Sequence, residues 1–262
     1  MRLGLSNHLK FDMTLDRFLE FADRLKADHI ELKVDCPELL DALFQKSKVL
    51  NLRDMLESYG FKYIFHAPSI DVNLASLNPQ IGNASLNVVK KSVQLAAELN
   101  AEIMVSHVGR LSRDYPESLM AKAYANVVDR LREIVEASKE LGVLFTIEND
   151  HKASDSILAG YVHQVSSLIR DVGCKLTFDV GHANTLGEIQ GFLEHLHEET
   201  VNVHLHDNDG VSDSHLPLGE GKIDYRSILD SLKRAITPPL LTLECHSIQG
   251  LEKDMLLLRS IL

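Results

Sequence analysis

Short apolar runs alternate with longer stretches of helical spacing along the whole chain. Eight runs rich in β-branched residues or leucine predict strands at 2–7, 29–34, 63–68, 102–108, 144–150, 175–182, 201–207 and 240–246. Between them the apolar period lengthens to that of an α-helix. The clearest case places Leu119, Ala123, Val127, Leu131, Ile134, Ser138 and Leu141 on one stripe, about one side of a helix. Further helices are predicted over 14–26, 38–59, 86–99, 154–171, 186–199, 224–235 and 249–262. Thr14 and Asp224 suit N-caps, because a short polar side chain can accept from an unpaired first-turn N–H. Gly60 and Gly142 suit helix stops.

Strand followed by helix, eight times over in 262 residues, predicts an α/β protein of the (β/α)8 TIM-barrel type, a fold that needs about 250 residues. A doubly wound open sheet is the competing architecture. It would more often carry a glycine-rich phosphate turn after the first strand, and Leu5-Ser6-Asn7-His8 is not one. No Pro/Gly/Ser-rich linker or low-complexity stretch interrupts the pattern, so residues 1–262 read as one domain.

Several predicted strands close on an ionisable residue. Tyr63-Ile-Phe-His66 is followed by Ile103-Met-Val-Ser-His107, Phe145-Thr-Ile-Glu148, Leu176-Thr-Phe-Asp179, Val201-Asn-Val-His204 and Leu241-Thr-Leu-Glu244. Successive separations of 41, 41, 31, 25 and 40 residues each amount to roughly one strand-plus-helix unit. Strand side chains alternate faces, so with Leu241 and Leu243 toward the helices, Thr242 and Glu244 point into the barrel. The same alternation groups Thr146 with Glu148, and Asn202 with His204 and His206. A lone glutamate or histidine at a strand end is ordinarily a salt-bridge, capping or packing residue. Six at corresponding places would converge at the C-terminal mouth, where buried charges are costly unless paired or bound to metal. Carboxylate and imidazole together suit zinc, manganese, cobalt or magnesium, and the mix does not separate them. His182, Asp213 and His215 lie in loops after these strands and offer further metal positions. The Gly219-Glu220-Gly221 turn would let backbone approach a ligand closely.

Composition narrows the function classes. Hydrophobic residues make up 45% and charged residues 25%, ordinary for a globular protein and unlike a disordered or collagen-like chain. No apolar run approaches the ~20 residues of a membrane span. A net charge of −11 gives no overall nucleic-acid footprint, although a local basic groove can coexist with an acidic total. The three scattered cysteines form neither a disulfide framework nor a cysteine-rich zinc site, and 1–12 has no apolar signal core; a reduced, cytoplasmic protein is expected. The 13 histidines supply the commonest metal ligand.

Three segments carry a resemblance to a known family: Phe178-Asp-Val-Gly-His-Ala-Asn184, Val203-His-Leu-His-Asp-Asn-Asp-Gly210 and His215-Leu-Pro-Leu-Gly-Glu-Gly-Lys-Ile-Asp224. With the strand ends from His66 to Glu244 they resemble the xylose isomerase-like superfamily of TIM barrels. That superfamily contains sugar and sugar-phosphate isomerases and epimerases, and endonuclease IV. The resemblance implies a core metal set of Glu148, Asp179, His204 and Glu244, with both glutamates also acting in proton transfer. It implies that His182 contacts substrate in an epimerase or binds a metal in a nuclease. The endonuclease pattern implies a trinuclear zinc set of His66, His107, Glu148, Asp179, His182, His204, Asp213, His215 and Glu244. The His-x-x-Asp pattern favours His204 over His206 as ligand, though the two share a strand face.

Departures exist on both sides. Gly210 and Ser154 stand near where ketose 3-epimerases carry a substrate-binding arginine and a glutamate. The DNA-penetrating aromatic and arginine segment of endonuclease IV has no counterpart in Lys33-Val-Asp-Cys-Pro-Glu-Leu-Leu40, nor in Ala67-Pro-Ser-Ile-Asp71. The first expectation is therefore a divalent-metal-dependent isomerase or epimerase of a small sugar or sugar phosphate, working through an enediolate. Glu148 and Glu244 would move the proton, His66, His107 and His182 would bind hydroxyls or a phosphate, and Lys222 is a candidate phosphate contact. The alternative is an endonuclease IV-like phosphodiesterase, for which DNA would be the partner; a barrel kept only for binding is a third. One metal per chain favours sugar chemistry and three favour phosphodiester hydrolysis. No membrane contact is expected, and a homo-oligomer is left open.

Overall fold

The computed structural model describes residues 1–235 and 237–262. Eight parallel strands form at the predicted runs: β1 Leu3–Ser6, β2 His29–Lys33, β3 Lys62–His66, β4 Ile103–Ser106, β5 Leu144–Glu148, β6 Lys175–Asp179, β7 Thr200–Leu205 and β8 Leu240–Leu243. Each pairs with the next, and β8 pairs back onto β1, closing the barrel. The helices are α1 Leu15–Arg24, α2 Pro37–Phe44, α3 Lys46–Tyr59, α4 Pro79–Glu98, α5 Met120–Glu140, α6 Val162–Val172, α7 Val180–Leu186, α8 Ile189–His195, α9 Tyr225–Lys233 and α10 Ile248–Ile261. Two-residue strands, Arg110–Leu111 and Ser156–Ile157, pair antiparallel beside the barrel. No helix among the described residues is long and apolar enough to cross a membrane.

Strand alternation divides the interior. Ile30, Leu32, Phe65, Phe145, Ile147, Phe178, Val203, Leu205, Leu241 and Leu243 join the main core under the helices. Their neighbours face the barrel axis. Ile64, Ile103, Val105 and Leu240 form a separate apolar cluster there, while Thr146 and Thr177 hydrogen-bond at 2.8 Å. Each fully buried Leu, Ile or Phe contributes about 1.5–3 kcal/mol. The polar strand-end residues are held on a scaffold fixed by apolar packing.

The caps act where the sequence places them. Thr14 Oγ1 accepts from the Arg17 N–H, and Asp224 Oδ1 from the Ser227 N–H. Gly60 ends α3 with φ at +69°, in the left-handed region that favours glycine.

Several boundaries differ from the expected ones. The helix expected over 38–59 is two, because Gln45 adopts an extended conformation with φ −128° and ψ 97°. The run 175–182 leaves the strand at Asp179, whose carboxylate accepts from the His182 N–H at 2.6 Å and caps α7. The helix expected over 154–171 starts at Val162, because Ser156–Ile157 pairs with Arg110–Leu111 instead. The helix expected over 86–99 begins earlier, at Pro79, where the Asn78 side chain caps it. Past Leu186, which ends α7, the span 186–199 is helical over Ile189–His195.

Candidate metal centre

The six strand-end groups meet at the C-terminal mouth. Glu148 ends β5 and Asp179 ends β6, while His204 lies on β7 in register with Asp179 on one side and Thr242 of β8 on the other. Glu244 follows β8. One donor atom from each of Glu148, Asp179, His204 and Glu244 lies within 4.8 Å of the others, and all four residues are buried. Two further groups flank this one: His66, His107 and Glu148, and His182, His206, Asp213 and His215. Glu148 belongs to two of them.

Hydrogen bonds decide which nitrogen each imidazole presents. A backbone carbonyl only accepts, so a ring nitrogen bonded to one must carry the hydrogen, and the other nitrogen is the one that holds the lone pair whenever the ring is neutral. His66 Nδ1 donates to the Ala67 carbonyl at 2.7 Å, His182 Nδ1 to Asn149 at 2.7 Å, and His215 Nδ1 to Glu244 at 2.7 Å. Their Nε2 atoms face carboxylates: Glu148 at 2.9 Å for His66, and Asp213 at 3.3 Å for His182 and 3.0 Å for His215. His204 is turned the other way. Its Nε2 meets Glu31 at 2.8 Å, and its Nδ1 faces Glu148 at 3.1 Å, Glu244 at 3.5 Å and Asp179 at 3.7 Å. Outer hydrogen bonds that fix an imidazole while aiming its free nitrogen at a common point are what metal sites use.

His206 groups with His182, Asp213 and His215. Its Nε2 lies 3.2 Å from Asp179 Oδ1 and 3.7 Å from Asp213 Oδ1, between the central group and the outer one. Its ring stacks on His215 at a centroid distance of 3.7 Å. Gly181 allows this, since a Cβ there would stand 1.9 Å from the His206 ring. Among the described residues, Asp213 Oδ1 and His206 Nδ1 are buried without hydrogen-bond partners.

The electrostatics follow from this crowding. Burial opposes ionisation of Glu148, but the charges of His107 and His204 and hydrogen bonds from His204 and His66 outweigh it, holding the carboxyl well below its usual range. For Glu244, burial is likewise overcome by His204 and Lys33. Burial also works against a charged His204, yet Glu244, Glu31 and Glu148 together raise its pKa well above that of a free imidazole. His182 is raised well above too, burial being outweighed by Asp179 and Asp213. Both imidazoles therefore hold protons near neutrality where a metal would need lone pairs.

A divalent ion entering the central group at pH 7 should displace about one proton from His204, so its affinity rises with pH across the neutral range. Titration calorimetry in buffers of different ionisation enthalpy measures that release directly; none at all would contradict this electrostatic account.

Beside the central group lies a cavity of about 430 Å³, within the size range of small-molecule sites. Lys33, His107, Arg110, Glu148, His182 and Glu244 are among its lining. Lys222, expected to contact a phosphate, is not in that lining. The turn before it packs elsewhere: Gly219 N–H donates to Asp207 at 2.9 Å, and a Cβ on Gly221 would meet Asp207 Oδ1 at 2.2 Å. The glycines thus serve approach to Asp207, not to a ligand. The lysine that reaches the carboxylates is Lys33 at the end of β2, with Nζ 2.9 Å from Glu244 Oε1. Arg110 and Asp150 form a bidentate pair at the rim. Lys33, Glu31, Arg110 and Asp150 were not expected from sequence; only the alternation of His29-Ile-Glu-Leu-Lys33 could have pointed to the first two.

A protein-family model described as xylose isomerase-like TIM barrel matches residues 3–261. The chain belongs to that family. Among solved structures, this family member is similar to a D-tagatose 3-epimerase-like protein, with TM-score 0.89 and 26% identity over 99% of this chain and 96% of that one. Fructoselysine 3-epimerase of Shigella flexneri is 21% identical, covering 79% of this chain and 76% of its own. Probable endonuclease 4 of Persephonella marina is 24% identical, covering 84% and 82%.

Proposed function

We propose that the protein is a divalent-metal-dependent isomerase or epimerase acting on a small sugar or sugar phosphate. The observation that carries this reading is the convergence of three buried carboxylates and the inward-facing Nδ1 of His204 beside a cavity of about 430 Å³. Among the described residues, one half-buried lysine pairs with that set, through Glu244. So much buried negative charge fits a cation better than an apolar or neutral ligand. Glu148, Asp179, His204 and Glu244 would hold the metal, which when bound supplies Lewis acidity to a carbonyl and its neighbouring hydroxyl.

The chain's own residues supply the proton transfer. Glu148 and Glu244 are both held ionised, so either can take the proton beside the carbonyl, and the other, or a water, can return it. His66, His107 and His182 lie around Glu148 at 2.9, 3.3 and 3.4 Å; His107 and His182 line the cavity and would bind hydroxyls, whereas His66 lies outside that lining. Lys33 reaches into the cavity from the opposite carboxylate. The similarity to two 3-epimerases, one of them named only as epimerase-like, supports the reaction class. Incubating metal-loaded protein in deuterated water with a broad panel of sugars and sugar phosphates tests it. Deuterium should enter at the carbon beside the carbonyl of at least one substrate; none in any would overturn the proposal.

A second reading has its own observation. The two flanking groups add enough donors for further metals, and endonuclease 4 is among the relatives. An endonuclease IV-like phosphodiesterase would cut an abasic duplex, and would lose that activity on Asp213→Ala or His215→Ala. Incision that survives both changes would count against that mechanism.

A further inference from the structure

Below the central group, inside the barrel, lies a carboxyl side chain that the proposed chemistry does not use. Glu31 sits on β2 with no exposed surface, and its Oε2 is 2.8 Å from His204 Nε2. Glu31 is itself held from two other strands. Its Oε1 accepts from Ser6 Oγ of β1 at 3.3 Å, and its Oε2 accepts from Asn202 Nδ2 of β7 at 3.2 Å. Asn202 is oriented in turn: its Oδ1 accepts from Thr242 Oγ1 of β8 at 2.8 Å. Because the Thr242 hydrogen is spent there, His29 Nε2 must donate to Thr242 Oγ1, from 2.9 Å. A chain of hydrogen bonds thus runs from His29 through Thr242, Asn202 and Glu31 to His204, all five residues fully buried.

The direction of this chain has a chemical consequence. Surrounded by donors, Glu31 acts as an acceptor, so His204 keeps Nε2–H toward it, and the proton that a metal displaces leaves from Nδ1, whose lone pair then faces the three carboxylates. The alternative tautomer would leave the Glu31 oxygen facing a lone pair and turn an N–H toward the centre. His66, His182 and His215 obtain their orientation from backbone carbonyls. His204 is the member of the central group whose ring is set by a side chain, which makes the setting removable by one substitution.

We propose that Glu31 is a positioning residue of the metal centre, fixing His204 so that Nδ1 is its ligand atom. This rests on the metal reading given above, and it predicts a property that the donor list alone does not: coordination through Nδ1, lost when Glu31 is removed. Outer-sphere partners of this kind are typically worth about 10–100-fold in metal affinity.

The test uses full-length protein labelled with 15N in its histidines and loaded with 113Cd, an NMR-active substitute for zinc. The expected result is a cadmium–nitrogen coupling to Nδ1 of His204, not to Nε2. In Glu31→Ala that coupling should weaken or vanish, and cadmium affinity at the central group should fall about 10–100-fold. Glu31→Gln retains an acceptor oxygen and should recover part of the loss, whereas Glu31→Met, which fills the space without offering a comparable acceptor, should not. Coupling through Nε2 in the unaltered protein would overturn the proposal without any variant. So would unchanged affinity and coupling in folded Glu31→Ala. Failure of the unaltered protein to take cadmium at the central group would instead overturn the metal reading beneath it.

Discussion

Glu148→Gln and Glu244→Gln should each leave the barrel folded, while at least one of them nearly abolishes the chemical step. Both carboxylates are buried at the mouth and crowded by imidazoles or Lys33. The amide keeps the size of the side chain and part of its hydrogen bonding. It removes the charge and the proton acceptor. Folding survives because the apolar contact between strands and helices lies on the other face of each strand. Metal affinity should fall for both. With metal restored to saturation, turnover on the substrate found in the deuterium panel should still drop about 10²–10⁴-fold for the residue that acts as base. Circular dichroism and thermal melting monitor the fold, and kcat at saturating metal monitors the chemistry. Near-normal turnover in both variants would show that the proton is moved by other groups.

Phe178→Ala should have the largest effect on stability. Phe178 lies on β6 between Thr177 and Asp179, is 1% exposed, and stacks on Phe192 of α8 with ring centroids 5.0 Å apart. Truncating a packed aromatic removes its transfer free energy and leaves a cavity, together about 3–5 kcal/mol. Against a total stability of about 5–15 kcal/mol, that is a large fraction. Urea unfolding with an unchanged m-value would report it; a loss under about 1 kcal/mol would mean the site of Phe178 collapses freely or was never tightly packed.

Much of this architecture was readable from the amino-acid order, for a physical reason. In a closed parallel barrel every strand is covered by a helix on one side, so runs such as Phe145-Thr-Ile-Glu148 announce both the strand and its inward face. Asp179 was legible as an inward carboxylate at a strand end, but its capping of a helix was not. By capping α7 it ends the strand three residues before His182, whereas the apolar pattern continued through Val180. The break at Gln45 had no glycine or proline to announce it. Val162 begins α6 late because Ser156–Ile157 is taken by a pairing with Arg110–Leu111, a contact remote in sequence.

The site was legible where chemistry recurs at strand ends and opaque where burial comes only from closure. Glu31 and Lys33 alternate with Ile30 and Leu32 just as solvent-facing residues of an open sheet would. Closing the barrel turns that face inward and brings Glu31 against a histidine 173 residues away. Lys222 lies outside the cavity lining, because the glycine turn before it packs on Asp207. His206 shares a face with His204, and only the position of Asp213 separates their groups.

The account stands on Glu148, Asp179, His204 and Glu244 holding a divalent metal together. Anomalous diffraction from zinc-saturated crystals, recorded on both sides of the metal absorption edge, tests this most directly. The predicted result is an anomalous peak bonded to all four residues, with Nδ1 as the His204 ligand. Saturated crystals with no peak at that point, or with peaks only among His66, His107, His182, Asp213 and His215, would contradict it.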